Sequence, residues 1–157
     1  MSETRAITVE KVLPYPPERI WRTLTKSDLL AKWLMPNDFE PVVGYRFTFL
    51  TKPMGDWDGI VHCEVLQCEP PRLLRYSWKG GADSNPDYGS RLNSEVTWTL
   101  TPVEGGTAVR MVHNGFVFPG NRFAYDAMSP GWDRILDVIA RVTAEAEVTP
   151  SNGMPAA

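Results

Sequence analysis

His62 and His113 are the chain's two imidazoles, and with Tyr76 they are its main candidates for proton chemistry. An imidazole titrating at about 6.5 is suited to acid–base work. His113 closes an apolar run just before "NGF", and Tyr76 sits mid-run in "RLLRYSWKG". For His113, a side chain hydrogen-bonded at a strand end is the more ordinary role. His62 and Glu64 share one strand face, but two ligands fall short of a metal cage, and no Cys or carboxylate spacing completes it. Neither a metal nor a cofactor is expected. Asp56 and Asp58 flank Trp57 in "GDWDG", where turn chemistry accounts for the pair better than catalysis does. Cys63 and Cys68 are five residues apart in one strand, so they face opposite ways, cannot bridge, and are read as reduced thiols. There is no G-x-S-x-G, Walker loop or nucleotide fingerprint. These residues leave open whether the protein is an enzyme.

Binding is the chemistry the residue types favour. Six tryptophans are many for 157 residues. The candidate lining of a ligand site is Trp33, Phe47, Phe49, Tyr76, Trp78, Trp98, Met111, His113, Phe116 and Trp132. Indole and phenol rings make rigid walls whose N–H or O–H orients a ligand without burying a charge, and a thioether fills irregular gaps. The competing reading has the same rings filling a core. A ligand burying about 300 Å² of apolar surface gains roughly 7–8 kcal/mol. Association removes about 4 kcal/mol or more of that, so without polar contacts affinity stays near millimolar. Specificity therefore has to sit in a few hydrogen-bonding groups.

The elements that must position these residues follow from hydrophobic period and turn chemistry. "AITVEKVL" reads as a strand closed by Pro14 and Pro16, and "PPERIWRTLTK" as a short helix with Pro17 in its first turn. "DLLAKWL" is a second short helix, with Ser27 or Asp28 as its cap and Pro36 as its end. Five strand-like runs follow: "YRFTFLTK", "DGIVHCEVLQCE", "RLLRYSWKG", "SEVTWTLTPV" and "TAVRMVHNGF". Turn residues separate them, which makes an antiparallel meander. Alternation puts Leu74, Tyr76 and Trp78 on one face, as it does Val96, Trp98 and Leu100, and Phe47 with Phe49. Thr97, Thr99 and Thr101 suit the wet face. Either Thr107, Val109, Met111 and His113 face inward with Asn114 outward, or the reverse. A long helix is expected to start at Ser129–Pro130, bury Trp132, Ile135, Leu136, Ile139, Val142 and Ala146, and pair Asp137 with Arg141.

The length suits one domain, expected over 1–147 with a disordered tail at 148–157. A net charge of −3 with no Lys or Arg cluster argues against nucleic acid. No apolar stretch approaches a membrane span and no signal-like segment opens the chain, so the cytoplasm is the expected compartment and no membrane partner is expected. Residues 80–92 are long for a hairpin connection and are read as a lid or a plain surface loop. Residues 116–132 crowd Phe116, Phe118, Phe123 and Tyr125 before the helix as a second gate or an aromatic plug.

Strand, two short helices, curved meander and long C-terminal helix is the order of an α+β helix-grip fold. "PPERIWRTLTKSDLLAKWLMP", "GYRFTF", "DGIVHCEVLQCEPPRLLRYSW", "SEVTWTL", "GGTAVRMVHNGF" and "GWDRILDVIARV" resemble successive blocks of the START-like, SRPBCC superfamily. Within it they are most similar to the domain named after the activator of the heat-shock protein 90 ATPase. The resemblance spans residues 6–147. It implies a cavity between sheet and C-terminal helix for a hydrophobic or amphipathic small molecule. It also admits a chaperone-partner or stress-response domain, a cyclase or hydrolase using the same cavity, and a homodimer. Co-chaperone activity is not carried over, because no second domain of the co-chaperone kind is present in these residues.

Overall fold

The computed structural model describes residues 3–85 and 91–148. β1 (Glu3–Leu13) leads into α1 (Pro17–Thr25) and α2 (Ser27–Trp33). Then come β2 (Arg46–Leu50), β3 (Ile60–Glu69), β4 (Leu73–Gly80), β5 (Leu92–Val103), β6 (Gly106–Phe118) and α3 (Arg122–Val148). The strands form one antiparallel sheet in the order β1-β6-β5-β4-β3-β2, so the meander closes on the first strand. α3 packs against β1 and β6, and α1 and α2 pack against α3. This is the helix-grip α+β fold.

Side-chain alternation decides which face is covered. On β5, Leu92, Ser94, Val96, Trp98 and Leu100 are buried while Thr97 and Thr99 are half-buried. On β6, Thr107, Val109, Met111 and His113 turn inward and Asn114 is exposed, which settles the register the sequence left open. Strict alternation would then send Phe116 outward. It is instead fully buried, because the β1–β6 register slips there: Arg5 faces Phe116 while Ala6 faces Asn114. Gly115 is the extra residue of this bulge. Its φ of +108° and a Cβ position 2.9 Å from Ser94 Cα leave no room for a side chain.

Three local expectations change. Ser27 does not cap α2 through its side chain. Its hydroxyl lies 2.8 Å from Asn37 Oδ1, and Asn37 Nδ2 donates to the carbonyls of Ser27 and Met35. Asn37 thus clasps both ends of α2 and fixes where Met35 emerges. α3 starts at Arg122, eight residues before Pro130, so Pro130 lies inside it. Proline removes one helical N–H. The helix tolerates this because its first turns are held independently. Tyr125 packs edge-on against Phe116 and Phe118, with centroids 5.5 and 5.3 Å away, and Asn121 bonds to Val117 and Arg91. Ser129 accordingly donates its hydroxyl to the Tyr125 carbonyl rather than capping a helix. Asp137 pairs with Lys11 across the α3–β1 seam. Both partners are more than half exposed, so the pair contributes at most about 1 kcal/mol.

Of the expected tail, only Val148 is among the described residues, and it ends α3. Residues 86–90 of the proposed lid lie outside them. The described part of that loop is tied down: Asn85 accepts from the Asp56 N–H and donates to the Met54 carbonyl, and Ser84 bonds to Asp56.

Candidate functional site

Aromatic rings fill the space between the sheet and the middle of α3. Trp33 stands edge-on to Trp98 with centroids 5.4 Å apart, and Trp132 lies 6.1 Å from both Trp78 and Trp98. Phe47, Phe49 and Tyr76 form a second cluster that reaches Trp78 through Phe49. Such pairs each contribute about 0.5–1.5 kcal/mol beyond the area they bury.

His113 sits in this cluster with no exposed surface. The Trp132 indole N–H can only donate, and it points at Nδ1 from 3.1 Å. Nδ1 is therefore the acceptor and Nε2 carries the proton. Nε2 donates to Ser94 Oγ at 2.9 Å, and the Ser94 hydroxyl passes its own proton to the Trp78 carbonyl at 2.8 Å. Burial holds the imidazole pKa down at about 3, so the ring is neutral at pH 7. With both nitrogens engaged, the group ties β5, β6 and α3 together. Tyr76 accepts from the Trp98 indole at 3.1 Å, and burial pushes its phenol pKa well above the ordinary value, so it too is neutral.

Open space lies at one end of this cluster. A cavity of about 70 Å³ is walled by Thr51 and Trp57 from the β2–β3 connection and by Val61, Trp78 and Leu92 from the strands. Ala124 and Met128 of α3 close it, with Met35 from the segment after α2. A more open groove of about 290 Å³ runs alongside, between Trp33, Leu34 and the α3 residues Ala127, Trp132 and Ile135. Met35, Trp78 and Met128 line both, so two thioethers and one indole separate cavity from groove. No charged residue lines either space among the described residues. Backbone geometry builds the inner wall: Gly59, at φ +81°, has its Cβ position 2.4 Å from the Thr51 carbonyl oxygen. Only glycine lets this turn bring Thr51 and Trp57 together.

Of the ten lining residues expected from sequence, Trp33, Trp78 and Trp132 border this space. Phe49, Tyr76, Trp98, Met111, His113 and Phe116 line neither cavity nor groove and are among the most buried residues in the chain. Phe47 borders a separate groove of about 370 Å³ with Arg46, His62 and Glu64. Met35, Thr51, Trp57, Ala124 and Met128 were not anticipated. The one available signal was Trp57, a large aromatic in a glycine turn, where a solvent-facing position needs no tryptophan. Asp58 does serve the turn, accepting from the Ile60 N–H at 3.0 Å. Among the described residues no three His, Cys, Asp or Glu side chains converge as a metal cage. In the second gate region Phe116 and Tyr125 interlock, while Phe123 is 52% exposed.

Residues 14–144 match the family model for Activator of Hsp90 ATPase homolog 1-like protein. The chain belongs to that family. This Hsp90-activator-like domain is similar in structure to protein MLL2253 of Mesorhizobium loti, at 39% identity and a TM-score of 0.76, covering 90% of this chain and 98% of that one. It is similar also to BH1534 of Bacillus halodurans, at 22% identity and a TM-score of 0.71, covering 91% and 99%. CalU16 of Micromonospora echinospora shares the fold at 18% identity and a TM-score of 0.64, covering 94% and 89%. No curated protein matches the chain. The family assignment agrees with the START-like resemblance of the sequence blocks. Among the described residues no helix is long and apolar enough to cross a membrane.

Proposed function

We propose that this Hsp90-activator-like domain binds an uncharged hydrophobic or amphipathic small molecule in the cavity and groove that meet at Met35, Trp78 and Met128. The observation that carries the reading is the uncharged lining, among the described residues, of two adjoining spaces, one small and partly enclosed and one more open. The cavity alone is small for a metabolite, and small-molecule sites are of the order of 300–1,000 Å³. With the groove it enters that range, and Met35 and Met128, both half-buried, are the flexible side chains that join the two by changing rotamer. The site lies nearer the first half of α3 than the middle of the sheet, where the aromatic cluster already occupies the volume.

A thermal-shift and tryptophan-fluorescence screen of neutral aromatic and amphipathic compounds tests this. Trp57 and Trp78 form the cavity wall, so binding there quenches or shifts emission. Ala124→Leu fills the cavity from a buried helical position and is expected to abolish the response. Binding that is indifferent to Ala124→Leu, or no stabilisation by any compound, sinks the proposal.

A further inference from the structure

Five buried tryptophans supply five indole N–H groups, and four are already spent. Trp33 donates to the Thr23 carbonyl at 2.8 Å and Trp57 to the Ile60 carbonyl at 3.0 Å. Trp98 donates to the Tyr76 hydroxyl and Trp132 to His113 Nδ1, both at 3.1 Å. Trp78, only 5% exposed, is the exception: its Nε1 has no acceptor among the described residues. Nor is that nitrogen sealed in the core. The one side-chain polar atom among the described residues that is both sealed and unpartnered is Arg75 Nε. The Trp78 nitrogen therefore borders accessible space, and the space beside Trp78 is the cavity and the groove it lines.

A buried indole N–H normally finds a partner, because leaving a donor unpaired in an apolar setting is unfavourable. We propose that Trp78 is the specificity-determining residue of the site, its N–H donating a hydrogen bond to a carbonyl or ether oxygen of an uncharged ligand. This rests on the small-molecule reading above and adds the chemistry of recognition to it. Three features define the acceptor. Among the described residues no cation lines either space to compensate an anion, and burying an unpaired charge is prohibitive. The indole offers a donor and no acceptor, so a ligand that presents only donors leaves it unpaired. Thr51 supplies the only side-chain hydroxyl on either wall among the described residues, and it can serve a second polar atom without imposing a charge. The site thus rejects pure hydrocarbons weakly and carboxylates strongly.

The test compares acetophenone with α-methylstyrene, which replaces the carbonyl oxygen by a CH₂ group and keeps the shape. Binding is followed by ¹⁵N–¹H NMR of the indole resonances in the full chain. Acetophenone is expected to bind about three- to tenfold more tightly, the worth of one net hydrogen bond. It is also expected to move the Trp78 indole N–H resonance downfield, while the N–H resonances of Trp33, Trp57, Trp98 and Trp132 keep their protein partners and move little. Trp78→Phe is expected to erase the preference between the two probes. Equal affinity for the two probes, with the Trp78 N–H unmoved, overturns the assignment of Trp78 and leaves the small-molecule reading standing. Failure of both probes to bind at millimolar concentration overturns both. The wild-type resonance decides the matter even where Trp78→Phe does not fold.

Discussion

Acidification tests the His113 network most directly. The folded protein holds this imidazole at a pKa of about 3, against 6.5 for the free side chain. Between those values the unfolded chain binds a proton that the folded chain refuses, so stability rises with pH and is lost as pH falls below 6.5. At 1.36 kcal/mol per unit, the loss at pH 5 is about 2 kcal/mol, reaching about 5 kcal/mol once the pH falls to 3. Against a total stability of about 5–15 kcal/mol for a domain, that is a large share. The physical cause is burial, reinforced by the Trp132 N–H that faces Nδ1 and would confront a second N–H on protonation. The assay is urea unfolding at pH 7 and pH 5 for the wild type and for His113→Gln, whose amide can accept from Trp132 and donate to Ser94. The wild type is expected to lose about 2 kcal/mol more than the variant across that interval, which removes the contribution of titrating carboxylates common to both. In the folded protein, the His113 ring resonances are expected to stay flat down to pH 4. Equal losses in the two proteins, or a His113 titration near its ordinary value in the folded state, would refute the reasoning.

Two further expectations follow from single contacts. Trp132→Phe keeps the ring but removes the donor to Nδ1, so it should cost about 1–3 kcal/mol in urea unfolding and let the imidazole exchange between tautomers, visible in its ¹⁵N shifts. Gly115→Ala places a Cβ against Ser94 at a positive φ, so it should lower stability by about 1–3 kcal/mol. An unchanged unfolding midpoint would mean the β6 bulge is not held as described.

Much of the fold was legible because strand alternation has a period of two and needs no tertiary knowledge. Leu74, Tyr76 and Trp78 had to share a face, as did Val96, Trp98 and Leu100, and all six are buried. The proline-started α1 and the apolar stripe of α3 followed from helical period in the same way. The start of α3 was misjudged because Pro130 and Ser129 carry a strong local start signal. Contacts of Tyr125 with Phe116 and Phe118, and of Asn121 with Val117 and with Arg91 thirty residues earlier, overrode it. Whether those side chains meet depends on how the end of β6 turns into the helix rather than on the local start signal.

The sequence by itself determined which rings face the interior, because that depends only on pattern and on the aversion of large apolar groups to water. Only the tertiary structure decided where those rings leave room. Empty volume is the difference between the space enclosed by the elements and the sum of the side chains inside it, so it depends on strand curvature, helix placement and the Gly59 turn that carries Trp57 inward. The same distinction separates the tryptophans from one another. The inward facing of Trp78 and Trp98 could be read from strand alternation. That Trp78 is the one of the five buried tryptophans whose N–H has no acceptor among the described residues followed from which acceptors the fold brought within reach of the other four.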